Sequence, residues 1–250
     1  MNVTVPADAE TVDSFPNSTA LVTGGSRGIG LAVARGLARG GATVVVTGAH
    51  PDRADRAAQE LVAEGLDVLG APGVDVSDPD ALPLLAERLG PLAALDVLVI
   101  SAAVMSERTA KTLRTGSAEW RRVMSVDLDG TFSALATFVP GMVERRHGRV
   151  IALSACLGRM SGPGTSGGLA PYRVAKAGVN ALVKNLSAEL GDGRRGVSID
   201  AVCPGHCRTE MGGPSAPRSA EEGADTVLWL AGTSDRESGR LWEDRRTVPW

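Results

Sequence analysis

Tyrosine occurs once in this chain, at Tyr172, so any chemistry that needs a phenol has one position available. Lysine occurs three times, at Lys111, Lys176 and Lys184, against a background of arginine. The three cysteines, Cys156, Cys203 and Cys207, are an odd number with no CxxC spacing. That argues against a disulfide scaffold or a structural zinc site, and a reducing cytoplasm is the compartment that fits. The His206 and Cys spacing across 203–207 makes no metal-ligand pattern either, so no metal is expected. Apolar runs are short: Val97-Leu98-Val99-Ile100 is far below the ~20 residues of a bilayer-spanning helix. Net charge is −3, which supplies no basic field for nucleic acid or an anionic membrane.

What is present is ordinary for a soluble domain: 43% hydrophobic and 22% charged residues in 250. Residues 1–17 are polar and acidic, without the basic and apolar regions of a signal peptide, and read as an N-terminal tail. From residue 18 to 250 short apolar runs alternate with helical stretches. Strands are expected at 19–23, 43–47, 67–74, 97–100, 149–153 and 198–202. Helices are expected at 29–39, 53–64, 79–89, 120–146 and 171–190, with another entered near Ser219. The strand runs are almost continuously apolar, as parallel strands buried on both faces require. The expectation is one α/β domain, a single doubly wound (Rossmann) parallel sheet with helices on both faces.

Between the first strand and first helix lies Thr23-Gly24-Gly25-Ser26-Arg27-Gly28-Ile29-Gly30. Gly24 permits a tight turn, Gly28 a close approach of backbone to a pyrophosphate, and Gly30 close helix–strand packing. The helix N-terminus that follows offers free N–H groups to phosphate. The second strand ends Val45-Val46-Thr47-Gly48-Ala49-His50 without the carboxylate that would hold a ribose 2′-hydroxyl. Arg27 can face a 2′-phosphate instead, which favours NADP(H). His50 and Arg53 either assist it or belong to a solvated loop.

Tyr172 and Lys176 are four residues apart and share one helix face. An ammonium beside a phenol stabilises phenolate and lowers its pKa, which suits Tyr172 to general-acid work.

With the glycine turn and Tyr172-Arg173-Val174-Ala175-Lys176 together, residues 18–250 resemble the short-chain dehydrogenase/reductase family, in its TGxxxGIG and YxxxK motifs. The second half is similar to its carbonyl reductase-like branch. The carrying segments include Val202-Cys203-Pro204-Gly205, Arg208-Thr209-Glu210-Met211 and the terminal Thr247-Val248-Pro249-Trp250. The resemblance implies NADPH-dependent reduction of a ketone, aldehyde or quinone carbonyl, with Tyr172 as general acid and Lys176 holding the ribose hydroxyls. It also implies adenine contacts at Asp75 and Val76, and nicotinamide contacts at Pro204, Gly205 and Thr209. Ala102 falls in the segment, Ile100-Ser101-Ala102-Ala103, that corresponds to the family's NNAG. Ser26 and Ile29 complete the cofactor turn. Homodimers or homotetramers built on the helices around 120–145 and 171–190 are a further implication.

Two positions depart from that pattern. The family's catalytic serine falls at Ala155, in Leu153-Ser154-Ala155-Cys156-Leu157-Gly158, and its catalytic asparagine at Asp127. Ser154 is adjacent to Ala155 but faces the other way if the strand continues. A hydroxyl from Ser161, Thr165 or Ser166, or one carried by the substrate, could replace the missing donor. Otherwise the chain has drifted to non-redox chemistry (a cyclase, a dehydratase or a non-catalytic partner subunit). The short segment 210–217 implies an open pocket for a bulky hydrophobic substrate of bacterial specialised metabolism. Met105, Leu157, Met160 and Met211 either line that pocket or serve ordinary packing. His206 is a possible extra donor beside it.

Overall fold

The computed structural model describes residues 14–107, 111–233 and 238–250. The first thirteen residues of the expected tail therefore lie outside the described residues. Phe15, also placed in the tail, is buried in the core, and its N–H donates to the Gly40 carbonyl at 2.6 Å.

Eight strands form one sheet in the order β3-β2-β1-β4-β5-β6-β7-β8. They are β1 (Thr19–Thr23), β2 (Thr43–Gly48), β3 (Val68–Pro72), β4 (Val97–Ile100), β5 (Gly148–Leu153), β6 (Val197–Val202), β7 (Leu241–Glu243) and β8 (Arg246–Val248). All neighbouring pairs are parallel except β7 with β8. The helices are α1 (Gly28–Arg39), α2 (Pro51–Ala63), α3 (Ala81–Leu89), α4 (Ser117–Met124), α5 (Gly130–Arg145), α6 (Ala170–Glu189) and α7 (Ala220–Gly232). Two apolar clusters, one on each face of the sheet, make the doubly wound core the sequence pattern requires. α7 starts where expected, closed by a capping box between Ser219 and Glu222.

Three features differ from the sequence expectation. The helix expected across 120–146 is two helices joined by a single wide turn at Ser125–Asp129, with five-residue hydrogen bonding. Such a bulge rotates the side chains that follow, and here it leaves Asp127 fully buried. The last two strands went unseen, because three-residue strands ending in Glu243 and starting at Arg246 carry too little apolar pattern. Most notably, Cys156 and Cys203 form a disulfide, 47 residues apart in sequence. Parallel pairing of Leu153 with Val202 brings the two chain ends together, a proximity that cysteine count and spacing could not reveal.

Candidate active site

The sheet order reverses between β1 and β4, and the crevice at the carboxyl ends of such strands is where doubly wound sheets bind ligands. The glycine turn occupies that crevice. Thr23 Oγ1 accepts the N–H groups of Ser101 and Ala102 at 3.1 and 3.3 Å, fastening the ends of β1 and β4. Gly24 has φ +66°, and a Cβ there would meet the Ala102 backbone at 2.8 Å. A Cβ at Gly30 would meet the Gly24 carbonyl oxygen at 2.4 Å. Glycine is required at both positions, the first by conformation and the second by close approach. Thr209 comes to the same turn from the chain after β6, its methyl 3.1 Å from where a Gly28 Cβ would stand. Chain-distant residues 24, 28, 102 and 209 thus gather into one cradle, with Ser26 and Ile29 on its turn.

The polar rim of the cradle carries two cations. Arg27 pairs with Glu210 through Oε2, and Arg53 Nη1 lies 3.5 Å from the same oxygen. A single carboxylate oxygen therefore sits between two guanidinium groups beside the end of β2. His50 is exposed at the start of α2. Asp75 is exposed and accepts the Ser77 N–H at 3.0 Å and hydroxyl at 2.8 Å. The Val76 side chain is turned into the core against Gly130, which leaves only its backbone for a ligand.

At the other end of the crevice, α6 places Tyr172 and Lys176 on one buried face. Lys176 Nζ donates to the Leu153 carbonyl at 3.0 Å and lies 3.5 Å from Asp127 Oδ2. It stands 5.7 Å from the Tyr172 ring centroid. Asp127 Oδ1 accepts the Val104 N–H at 2.8 Å, so both carboxylate oxygens are directed at protein groups. Burial raises the Asp127 pKa, against the opposing pull of Lys176.

Tyr172 also corrects the expectation of a lowered pKa. Burial pushes its phenol above the ordinary tyrosine value, and the charge of Asp127 pushes it further the same way. The lysine charge that was expected to stabilise phenolate is directed instead at Asp127 and the Leu153 carbonyl.

Ala155 and Leu157 pack with Tyr172, Val123 and Ala175 in a small apolar cluster that also holds Met105 and Met211. Met160, by contrast, is 77% exposed and outside that cluster. Ser154 does face away: its hydroxyl contacts Asn180 Oδ1 at 2.5 Å and the Lys176 carbonyl at 3.4 Å. The hydroxyls of Thr165 and Ser166 donate to carbonyls of their own turn, at Gly162 and Pro163. His206 Nε2 is bound to the Gly212 carbonyl at 2.8 Å. Sequence reasoning had not singled out Glu210 as a partner of the arginines, nor Glu243, whose carboxylate lies beside the disulfide.

Comparison with known proteins shows the family and the fold. A family model described as short chain dehydrogenase matches residues 18–220. The 3-oxoacyl-[acyl-carrier-protein] reductase FabG of Escherichia coli is 31% identical over 199 residues, 79% of this chain and 77% of that protein. Among solved structures, a 3-oxoacyl-[acyl-carrier protein] reductase from Brucella melitensis with bound NAD superposes with a TM-score of 0.79. It is 28% identical, covering 96% of this chain and 94% of that one. A protein described as an NAD(P)-dependent gluconate 5-dehydrogenase from Beutenbergia cavernae, with NADP bound at low occupancy, gives 0.81 at 26% identity, covering 92% and 95%.

Proposed function

Because the chain belongs to the short-chain dehydrogenase/reductase family, an oxidoreductase family that binds nicotinamide cofactors, we propose that it is an NADPH-dependent reductase of a ketone or quinone-like carbonyl on a bulky hydrophobic substrate. The observation that carries the cofactor choice is the pair of guanidiniums, Arg27 and Arg53, already closed on one carboxylate oxygen of Glu210. Two cations around a single anionic oxygen fit a 2′-phosphate, which would take the place of the Glu210 carboxylate, and the end of β2 itself supplies no acid to hold a 2′-hydroxyl. The glycine turn opens directly into the N-terminus of α1, whose free N–H groups suit the pyrophosphate. Asp75, the Val76 backbone, Ala102, Pro204, Gly205 and Thr209 line the path between adenine and nicotinamide ends, with His50 at the rim.

When bound, the cofactor supplies a hydride to the carbonyl carbon. Tyr172, the one phenol of the chain, donates its proton to the carbonyl oxygen. Lys176 is held by the Leu153 carbonyl and Asp127, 5.7 Å from the Tyr172 ring centroid, and would hold the ribose hydroxyls. Asp127 acts as a positioning residue, anchored by the Val104 N–H. The apolar wall of Met105, Leu157 and Met211 around Tyr172 excludes water and accepts an apolar substrate. Cytoplasmic location and specialised metabolism belong to the same reading. So does self-association, a second copy covering the apolar face of α5 and α6 around Phe132, which is 58% exposed.

The test follows NADPH and NADH absorbance with a panel of bulky ketones and quinones. NADPH-selective oxidation supports the reading. Tight NADPH binding without oxidation favours a second one, non-redox chemistry, for which the observation is Ala155 without a hydroxyl and Ser154 turned to Asn180.

A further inference from the structure

The Cys156–Cys203 disulfide links the two loops that flank the reacting end of the crevice. Cys156 opens the short turn Cys156–Gly158 that follows Ala155 and carries Leu157, both packed around Tyr172. Cys203 closes β6, immediately before Pro204 and Gly205, with its N–H bound to the Trp242 carbonyl at 2.8 Å. The two residues differ in exposure: Cys156 is half-buried, whereas Cys203 is 2% exposed. Glu243 Oε1 stands 3.0 Å from Cys156 Sγ and 3.6 Å from Cys203 Sγ, while its other oxygen is 3.5 Å from Arg159 Nη1. A carboxylate oxygen facing a disulfide has no proton to accept there; facing a thiol, it does. In reducing compartments, disulfides that form are transient, catalytic or redox-sensing.

We propose that Cys156 and Cys203 are a reversible thiol–disulfide site, reduced by a dithiol that enters at Cys156, and that its state governs substrate handling through the turn at residues 155–158. A thiolate of the dithiol attacks Cys156 Sγ, forming a mixed disulfide and breaking the Cys156–Cys203 bond; Cys203 leaves as thiolate and takes a proton. The second thiol of the reductant, as thiolate, then attacks its own sulfur partner in the mixed disulfide. It closes its own disulfide and releases Cys156, which is protonated in turn. Two electrons and two protons pass from the dithiol to the cysteine pair. Glu243 then accepts the new S–H group and keeps the pair protonated, which slows reoxidation, since thiolate is the reactive form. The consequence for turnover rests on the reductase reading above, and the reversibility of the redox step on the cytoplasmic location proposed with it.

The test begins with the full chain alkylated by iodoacetamide under denaturing conditions, before and after treatment of the native protein with dithiothreitol. Expected are one alkylated cysteine before treatment, Cys207, and three after it. Reduction should speed native-state proteolysis at 155–158 and lower kcat/KM several-fold in wild type and in Cys207→Ser. Cys156→Ser and Cys203→Ser should not respond. Glu243→Gln should reoxidise faster, by about threefold for each unit that its loss lowers the thiol pKa. Three alkylated cysteines without reductant, or a pair that native dithiol leaves intact, overturns the site. Reduction that alters neither proteolysis nor kcat/KM overturns its proposed effect. If no carbonyl substrate turns over, the reductase reading fails while alkylation and proteolysis still decide the redox site.

Discussion

Replacing Lys176 by Met removes the cation from a pair whose two side chains are 4% and 0% exposed and whose charges lie 3.5 Å apart. At an effective dielectric of ~20 the gross attraction at that distance is about 5 kcal/mol. Breaking a buried pair by deleting one partner costs ~3–5 kcal/mol, because the other charge stays buried without compensation. For a chain of this size that corresponds to a fall in Tm of roughly 6–20 °C. Removing both charges, in Lys176→Met with Asp127→Asn, should recover much of the loss, giving a coupling of about 2 kcal/mol or more. The sign of the pH dependence follows from Asp127, whose folded pKa is raised by burial and whose cation is now gone. A carboxyl with a raised folded pKa contributes stability that is present at low pH and is lost as pH rises through that pKa. The Lys176→Met deficit relative to wild type should therefore shrink as pH falls from neutral through the raised pKa of Asp127 toward the ordinary carboxylate range. Thermal unfolding of all four proteins across that range is the assay. Additivity of the two single changes within ~0.5 kcal/mol, or a deficit independent of pH, would refute the reasoning.

Further outcomes follow from the same geometry. Ala155 has an extended backbone (φ −155°, ψ 151°) that serine adopts without strain, and its side chain packs with Tyr172. Ala155→Ser should raise kcat, by up to the ~10²–10³ that one oxyanion donor is worth; an unchanged kcat would show that this position does not face the reacting oxygen. Arg27→Ala and Arg53→Ala should each weaken NADPH binding about tenfold or more while leaving NADH nearly unaffected, measured by cofactor fluorescence. Equal losses for both cofactors would remove the case for a 2′-phosphate site.

Much of this architecture was legible in the chain. Runs such as Val44-Val45-Val46 and Val97-Leu98-Val99 are apolar on both faces because both faces are covered, and they locate the parallel strands. The glycine turn and the Tyr172–Lys176 spacing are local, so their geometry survives from sequence to structure. What escaped was non-local or short. The wide turn at Ser125–Asp129 keeps the apolar rhythm of its flanking helices, so the pattern shows no break there; it was the family motif, not the periodicity, that put Asp127 behind Lys176. The disulfide depends on the register of β5 against β6. Glu210 reaches Arg27 across 183 residues, which only the folded crevice arranges. The Tyr172 pKa reversed its expected direction because an i, i+4 lysine says nothing about where that lysine's charge is directed.

The most direct test of the central claim uses NADPH carrying deuterium at both C4 positions of the nicotinamide, with wild type and Tyr172→Phe and a ketone from the panel. The account predicts stereospecific deuterium on the carbinol carbon of the product. It also predicts a rate for the phenylalanine variant lower by ~10²–10⁴, the worth of a positioned general acid. Product without deuterium, or turnover that survives the loss of the chain's one phenol, would contradict it.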